Sequence, residues 1–248
     1  MSDFTLSWFT LKQNNNQSRS LLLKKLIETY SSPGDVIFDP FLGNGETLEV
    51  CHTLCRNGIS FSPKIEIVTK IDKEIKSLEK QLQLTAYGSR QISKQLLFKA
   101  NLENLNYSWQ QYDLPKVDLI ISFLPSWPSL IRWAKEFYPG HSVSPLGIIE
   151  NILLSIKEKI KDGARIVLLA ENSWSHLGHH PFAWQLTQQL KPHFTFKGEK
   201  ICCIERMQSK ISETTPDHKY LLIFRNHLEK QDGGDSESDN KTSNLSTT

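Results

Sequence analysis

A short apolar run that ends in an acid and opens into two closely spaced glycines constrains this chain more than any other stretch. Residues Ser31 to Thr47 read Ser-Ser-Pro-Gly-Asp-Val-Ile-Phe-Asp-Pro-Phe-Leu-Gly-Asn-Gly-Glu-Thr. Pro33-Gly34-Asp35 is a turn signal. Val36 to Phe38 is too brief for a helix and is bounded by turn residues, so it reads as a buried strand. Asp39 stands at its carboxyl end, Gly43 and Gly45 follow in a tight loop, and Thr47 to Leu54 read as a helix. Glycine permits positive φ and lets a ligand approach the backbone. The helix start offers N–H groups that have no partner within the helix. Strand, glycine loop and helix in this order form the entrance to a nucleotide-type site in an α/β fold.

Asp39-Pro40-Phe41-Leu42-Gly43-Asn44-Gly45-Glu46-Thr47 resembles the S-adenosylmethionine (SAM) motif of the amino-group methyltransferases that modify N4 of cytosine or N6 of adenine in DNA. That family reads Asp-Pro-Phe-x-Gly-x-Gly-Thr-Thr after Pro-Gly-Asp and a hydrophobic strand. The lead-in is present here, and Glu46 stands where the family has Thr. The resemblance implies a Rossmann-like, seven-stranded SAM-dependent methyltransferase fold, mostly parallel with an antiparallel last strand, over residues 1–228. It implies SAM as cofactor, bordered by Asp39, Pro40, Phe41, Gly43, Gly45 and Thr47, with Asp39 toward the methionine ammonium. A helix over Leu21 to Tyr30, capped by Ser18 or Ser20, precedes the loop. In the family this region carries another SAM-contacting motif, which makes Phe9 a candidate; packing on the sheet is the plainer role for it.

The resemblance also implies a second strand ending in an acid that holds the ribose hydroxyls. Ile65 to Ile71 reads as that strand, with Asp72 at its end before a helix from Lys73 to Leu84; Glu66 is the rival if the strand is shorter, and a helix N-cap is the plainer role for Asp72. The third strand, Leu96 to Ala100, leads to Asn101, where the family contacts the SAM adenine. An Asn both donates and accepts, although it is equally at home in a turn.

Val117 to Ser122 reads as the fourth strand and resembles the lead-in to the family's catalytic motif, an Asp, Asn or Ser followed by Pro-Pro and an aromatic residue. The lone pair of an exocyclic amine is delocalised into its ring. The motif accepts the amine hydrogens and so localises that lone pair, and its aromatic residue stacks on a base flipped out of the helix. Here the four positions are Phe123, Leu124, Pro125 and Ser126. Phe123 has no acceptor. Ser122 or Ser126 could accept instead, and Trp127 could stack. The competing expectation is a SAM-binding or scaffold subunit without catalysis.

Beyond it, Ile148 to Ile160 carries a helical apolar stripe, Lys161 to Ala164 reads as a helix stop, and Arg165 to Ala170 as the fifth strand. Glu171 to Trp174 then lie at the carboxyl edge, where ligands gather in open α/β sheets. Phe182 to Leu190 reads as a helix, and Phe194 to Met207 and Tyr220 to Phe224 as the last two strands. Trp133, Phe137, Tyr138, Pro139 and His141 fall in an insertion, Ser129 to Gly147, that could serve as a lid or contact a base.

Composition adds limits. The 248 residues suffice for one large α/β domain. The apolar fraction of 38% fits a core plus a polar tail. Residues 229–248 hold five acidic and two basic residues and one leucine, and are expected to be a disordered tail. Without them the body carries 27 basic against 22 acidic residues. That mild excess permits a nucleic-acid partner without arguing for one. DNA is the expected partner, RNA the alternative, and a partner subunit is a further candidate because no segment is left over for a target-reading domain. No apolar run reaches membrane-spanning length, and Met1 to Phe4 do not begin a signal peptide. Cys51, Cys55, Cys202 and Cys203 show no Cys-x-x-Cys spacing, so no metal site is expected and a reducing cytoplasm is the expected setting.

Overall fold

The computed structural model describes residues 7–13, 17–85, 93–100, 105–137, 144–175, 178–206 and 218–228. Asn101, His176, residues 138–143 of the expected insertion and the tail 229–248 lie outside them.

The elements in chain order are β1 (Trp8–Gln13), α1 (Gln17–Tyr30), β2 (Val36–Asp39), α2 (Glu46–Thr53), β3 (Asn57–Ser62), α3 (Ile65–Thr85), β4 (Gln95–Lys99), α4 (Leu105–Gln111), β5 (Val117–Phe123), α5 (Trp127–Phe137), α6 (Pro145–Ser155), β6 (Ile160–Ala170), β7 (Ser173–Ser175), β8 (Gly178–His180), α7 (Phe182–Leu190), β9 (Thr195–Arg206) and β10 (His218–Arg225). Eight strands form one sheet in the order β1-β9-β10-β6-β5-β2-β3-β4. All its neighbours pair in parallel except those of β10, which runs antiparallel to both β6 and β9. Six of the seven expected strands are present, the second is displaced to β3, and β1 is an eighth strand of the sheet. Its polar second half, Thr10 to Gln13, hides it from a search for apolar runs, and it gains its order by pairing with β9.

The short run Val-Ile-Phe-Asp is buried at all four positions, as a central strand covered on both faces requires. On one face α1 lays Leu22, Leu23, Leu26 and Ile27 on Ile37, Leu119, Val167 and Leu221. On the other, α4, α6 and α7 pack Trp109, Ile152 and Leu186 on Phe38, Ile120, Leu168 and Leu222. Ser144 caps α6 by accepting from Gly147 N–H at 3.0 Å, and Pro145 stands at its first turn.

The structure corrects the second strand. Ile65–Thr85 is one helix, with Ile71 and Ile75 buried one turn apart. The strand beside β2 is Asn57–Ser62, ended by Pro63. Its run Asn-Gly-Ile-Ser-Phe-Ser lacks the apolar density of a buried strand, but Gly58 is required: a Cβ there would meet Leu48 Cδ2 at 2.6 Å. Lys161 to Ala164 likewise lie inside β6 rather than ending a helix. Gly163, at φ +76°, makes the local bend.

Candidate active site

The carboxyl ends of β2, β5 and β6 meet around Asp39. The side chain is 4% exposed. One carboxylate oxygen accepts from Ser122 Oγ at 2.5 Å and from Phe41 N–H at 3.1 Å, and the other accepts from Thr47 Oγ1 at 2.6 Å. One side chain thereby ties the glycine loop, the first turn of α2 and the neighbouring strand together. Burial pushes its carboxyl above the ordinary value; the donated hydrogen bonds of Ser122, Thr47 and Phe41 and the charge of Arg19 pull the other way. Through these bonds Asp39 shapes the loop.

Gly43 and Gly45 hold φ of +58° and +87°, which L side chains rarely adopt. Gly43 and Asn44 are exposed, while Pro40, Phe41, Leu42 and Thr47 are buried. The loop therefore turns bare backbone outward. Phe41 packs its ring on Trp133 of α5, with centroids 5.6 Å apart. Leu42, Leu48, Ile71 and Ile75 cluster beneath α2.

Arg19, on the first turns of α1, reaches across this edge. Its Nε lies 2.7 Å from Glu46 Oε2. That contact is a charge pairing without hydrogen-bond alignment, for the oxygen has no hydrogen-bond partner. The Arg19 guanidinium stands 4.2 Å from the centre of the Phe123 ring. Lys219 Nζ lies 5.9 Å from the same centre, and its partner is the carboxylate of Glu171 just beyond β6. Phe123 thus lies beside two cations, each paired with an acid. Burial, and then the charge of Arg19, lower the Lys219 ammonium to about 8; the Glu171 carboxylate opposes this by favouring the charged form. Sequence reasoning missed Arg19, Lys219 and the pairing role of Glu46. No local signal marks them, because the sheet assembles them from both ends of the chain.

The remaining expected residues divide. Ser122 is fully buried and its hydroxyl donates to Asp39, so it is corrected from amine acceptor to support of the loop. Ser126 is exposed and its hydroxyl meets Ser129 Oγ at 3.0 Å. Leu124 N–H donates to Leu169 O at 2.9 Å, which sews the loop after β5 to the end of β6. Pro125 follows, partly buried. Trp127 opens α5 and stacks on His180, centroids 5.5 Å apart, with its edge toward Phe182. One face of the indole is therefore covered by the β7–β8 hairpin.

Two expected cofactor residues lie away from the loop. Asp72 is inside α3, half-exposed and paired with Lys76 at 2.6 Å; no strand ends there, which corrects its ribose role. Phe9 is on β1, packed against the α1 face of the sheet beside β9. No carboxylate stands at the end of β3, where Ser60 and Ser62 are buried. Glu66 lies exposed in the first turn of α3.

Among the described residues no three His, Cys, Asp or Glu side chains gather as a metal site, and no helix is long and apolar enough to cross a membrane.

Comparison with known proteins agrees with this architecture. The chain is similar in fold to an rRNA methylase from Streptococcus thermophilus, with a TM-score of 0.50, 13% identity, and 84% of this chain and 96% of that one covered. It is equally similar to the N-methyltransferase NodS from Bradyrhizobium japonicum in complex with S-adenosyl-L-homocysteine, with a TM-score of 0.50, 13% identity, and 86% and 89% covered. At such identity the likeness concerns the fold alone. No curated protein matches the sequence. Residues 12–75 match the family model described as DNA methylase, of the N6/N4 type. That span runs from the end of β1 through α1, the glycine loop and α2 into α3. Over this segment the chain is similar to the N4/N6 amino-methyltransferases.

Proposed function

We propose that this chain is a SAM-dependent N-methyltransferase acting on an exocyclic amine of a nucleic-acid base, N4 of cytosine or N6 of adenine. One observation carries the reading: within the segment that matches the DNA methylase model, a buried acid organises a loop whose exposed Gly43 presents bare backbone at the carboxyl edge of the sheet. That edge fits SAM. Exposed Gly43 and Asn44 leave room for the ligand, and the start of α2 offers unpaired N–H groups. When bound, SAM supplies an electrophilic methyl group. Gly43, Gly45 and the first turn of α2 hold it, Asp39 keeps the loop in shape, and Glu66 takes the ribose position left vacant by Asp72. Asn101, beyond β4, remains the candidate for the adenine edge.

At the target side, the Leu124 carbonyl and the loop to Ser126 face the amine. The direct test incubates the chain with tritiated SAM and separate DNA and RNA pools, then digests the product to nucleosides. N4-methylcytosine or N6-methyladenine in either pool supports the reading; label in neither, with SAM bound, contradicts it. The position of Phe123 favours a second reading, a SAM-binding subunit of a larger methyltransferase. A partner would then supply the missing acceptor, and methyl transfer would occur only in its presence.

A further inference from the structure

Resting on the reading that a nucleobase amine is the target, we propose that Glu171 replaces the acceptor missing at position 123. Its carboxylate accepts a hydrogen bond from the exocyclic amine and then the proton that the amine loses. Lys219 is the positioning residue that holds this carboxylate.

The acceptors available at this edge are few. A planar amine becomes nucleophilic only when its hydrogens are held and its lone pair is freed from the ring. Phe123 can accept nothing. Ser122 Oγ is sealed against Asp39, and both Asp39 oxygens are buried and engaged. Glu46 is bound to Arg19 and its side chain is only 12% exposed. Among the described residues, Glu171 is the carboxylate that adjoins the loop after β5 and still reaches solvent, with a side chain 34% exposed. Its place follows from the register. Phe123 lies beside Leu169 on β6, Leu124 N–H is bonded to Leu169 O, and Glu171 is two residues further toward the ligand edge. Lys219, which contacts Glu171, stands over the Phe123 ring. The acid has moved one strand across the sheet, from the end of β5 to the end of β6, and brings its own cation.

The step balances. The amine nitrogen forms the new bond to carbon with its lone pair while the bond from that carbon to sulfur breaks. Sulfur keeps the bonding pair and becomes a neutral thioether. The surplus proton on nitrogen passes to a Glu171 oxygen and then to water, which the exposure of Glu171 allows.

The test uses the full chain and Glu171→Gln, with Glu171→Gln/Lys219→Met as a second variant that leaves no unpaired ammonium. Calorimetry compares 2′-deoxyadenosine and 2′-deoxycytidine with the analogues that carry hydrogen in place of the amine. The wild type should prefer the amine-bearing nucleosides by about tenfold, the worth of a hydrogen bond to a charged group. Both variants should lose that preference, keep wild-type SAM affinity, and transfer methyl about a hundredfold more slowly. Variants that keep both the preference and the rate overturn the assignment of Glu171 while leaving the proposed function standing. A wild type that binds SAM but shows neither amine preference nor transfer overturns both. Failure to bind SAM at all overturns the proposed function first and this assignment with it.

Discussion

Asp39 shows how one residue can organise a whole site. Three donors converge on it from the loop, from α2 and from β5. Asp39→Ala strands two buried hydroxyls and one N–H, so it should cost about 3 kcal/mol and abolish SAM binding; urea unfolding and SAM titration check the two halves. The pH dependence has a definite sign. Burial raises the folded-state carboxyl above its ordinary 3.8, so the folded chain keeps this proton to higher pH than the unfolded chain does. The contribution of Asp39 to stability is then greatest in acid and declines as pH climbs through the raised value. Asp39→Asn should remove that decline, seen as a flatter urea midpoint from acid to neutral pH; an unchanged slope would contradict the assignment. Thr47 and Ser122 illustrate what the sequence conveys at this scale. Thr47 is part of a contiguous motif and is legible there. Ser122 reads as a catalytic candidate until the fold turns its hydroxyl inward to Asp39, 83 residues away.

At the level of elements, the glycine loop and its helix are held by packing as well as by hydrogen bonds. Gly45 has φ +87°, and a Cβ there would meet Ile71 Cγ2 at 2.7 Å. Gly45→Ala should therefore destabilise by about 2 kcal/mol through backbone strain and collision together. Adding Ile71→Ala should relieve the collision and leave the strain, which thermal unfolding of the single and double variants would separate. The same Ile71 explains why the sequence pattern places the second strand too late. Ile65, Ile67 and Ile71 suit an alternating pattern, yet Ile71 and Ile75 fit a helix better, and the true strand β3 is diluted by glycine and serine. Elements with dense apolar runs, β2, β5 and α7, lie within a residue or so of where the sequence places them. Elements stabilised mainly by neighbours, β1 and β3, do not show in the local pattern. The Glu171–Lys219 pair is invisible for a related reason: it exists only because β10 returns antiparallel beside β6.

Across the whole molecule, the sheet is a single layer shared by helices on both faces, so neither face can loosen alone. Leu168 packs toward one face and Leu221 toward the other, and both are fully buried. Leu168→Ala and Leu221→Ala should each cost about 3 kcal/mol. Each should shift one common transition, seen identically by tryptophan fluorescence and far-ultraviolet circular dichroism; two transitions would contradict a single cooperative sheet. This architecture brings the glycine loop, the loop after β5 and the start of β10 to one edge, and the proposed chemistry depends on that convergence. The most direct test of the account is calorimetric titration of the full chain with SAM. One saturable site is expected, weakened at least tenfold by Gly45→Ala. No heat of binding at millimolar SAM, from a chain shown to be folded, would contradict it.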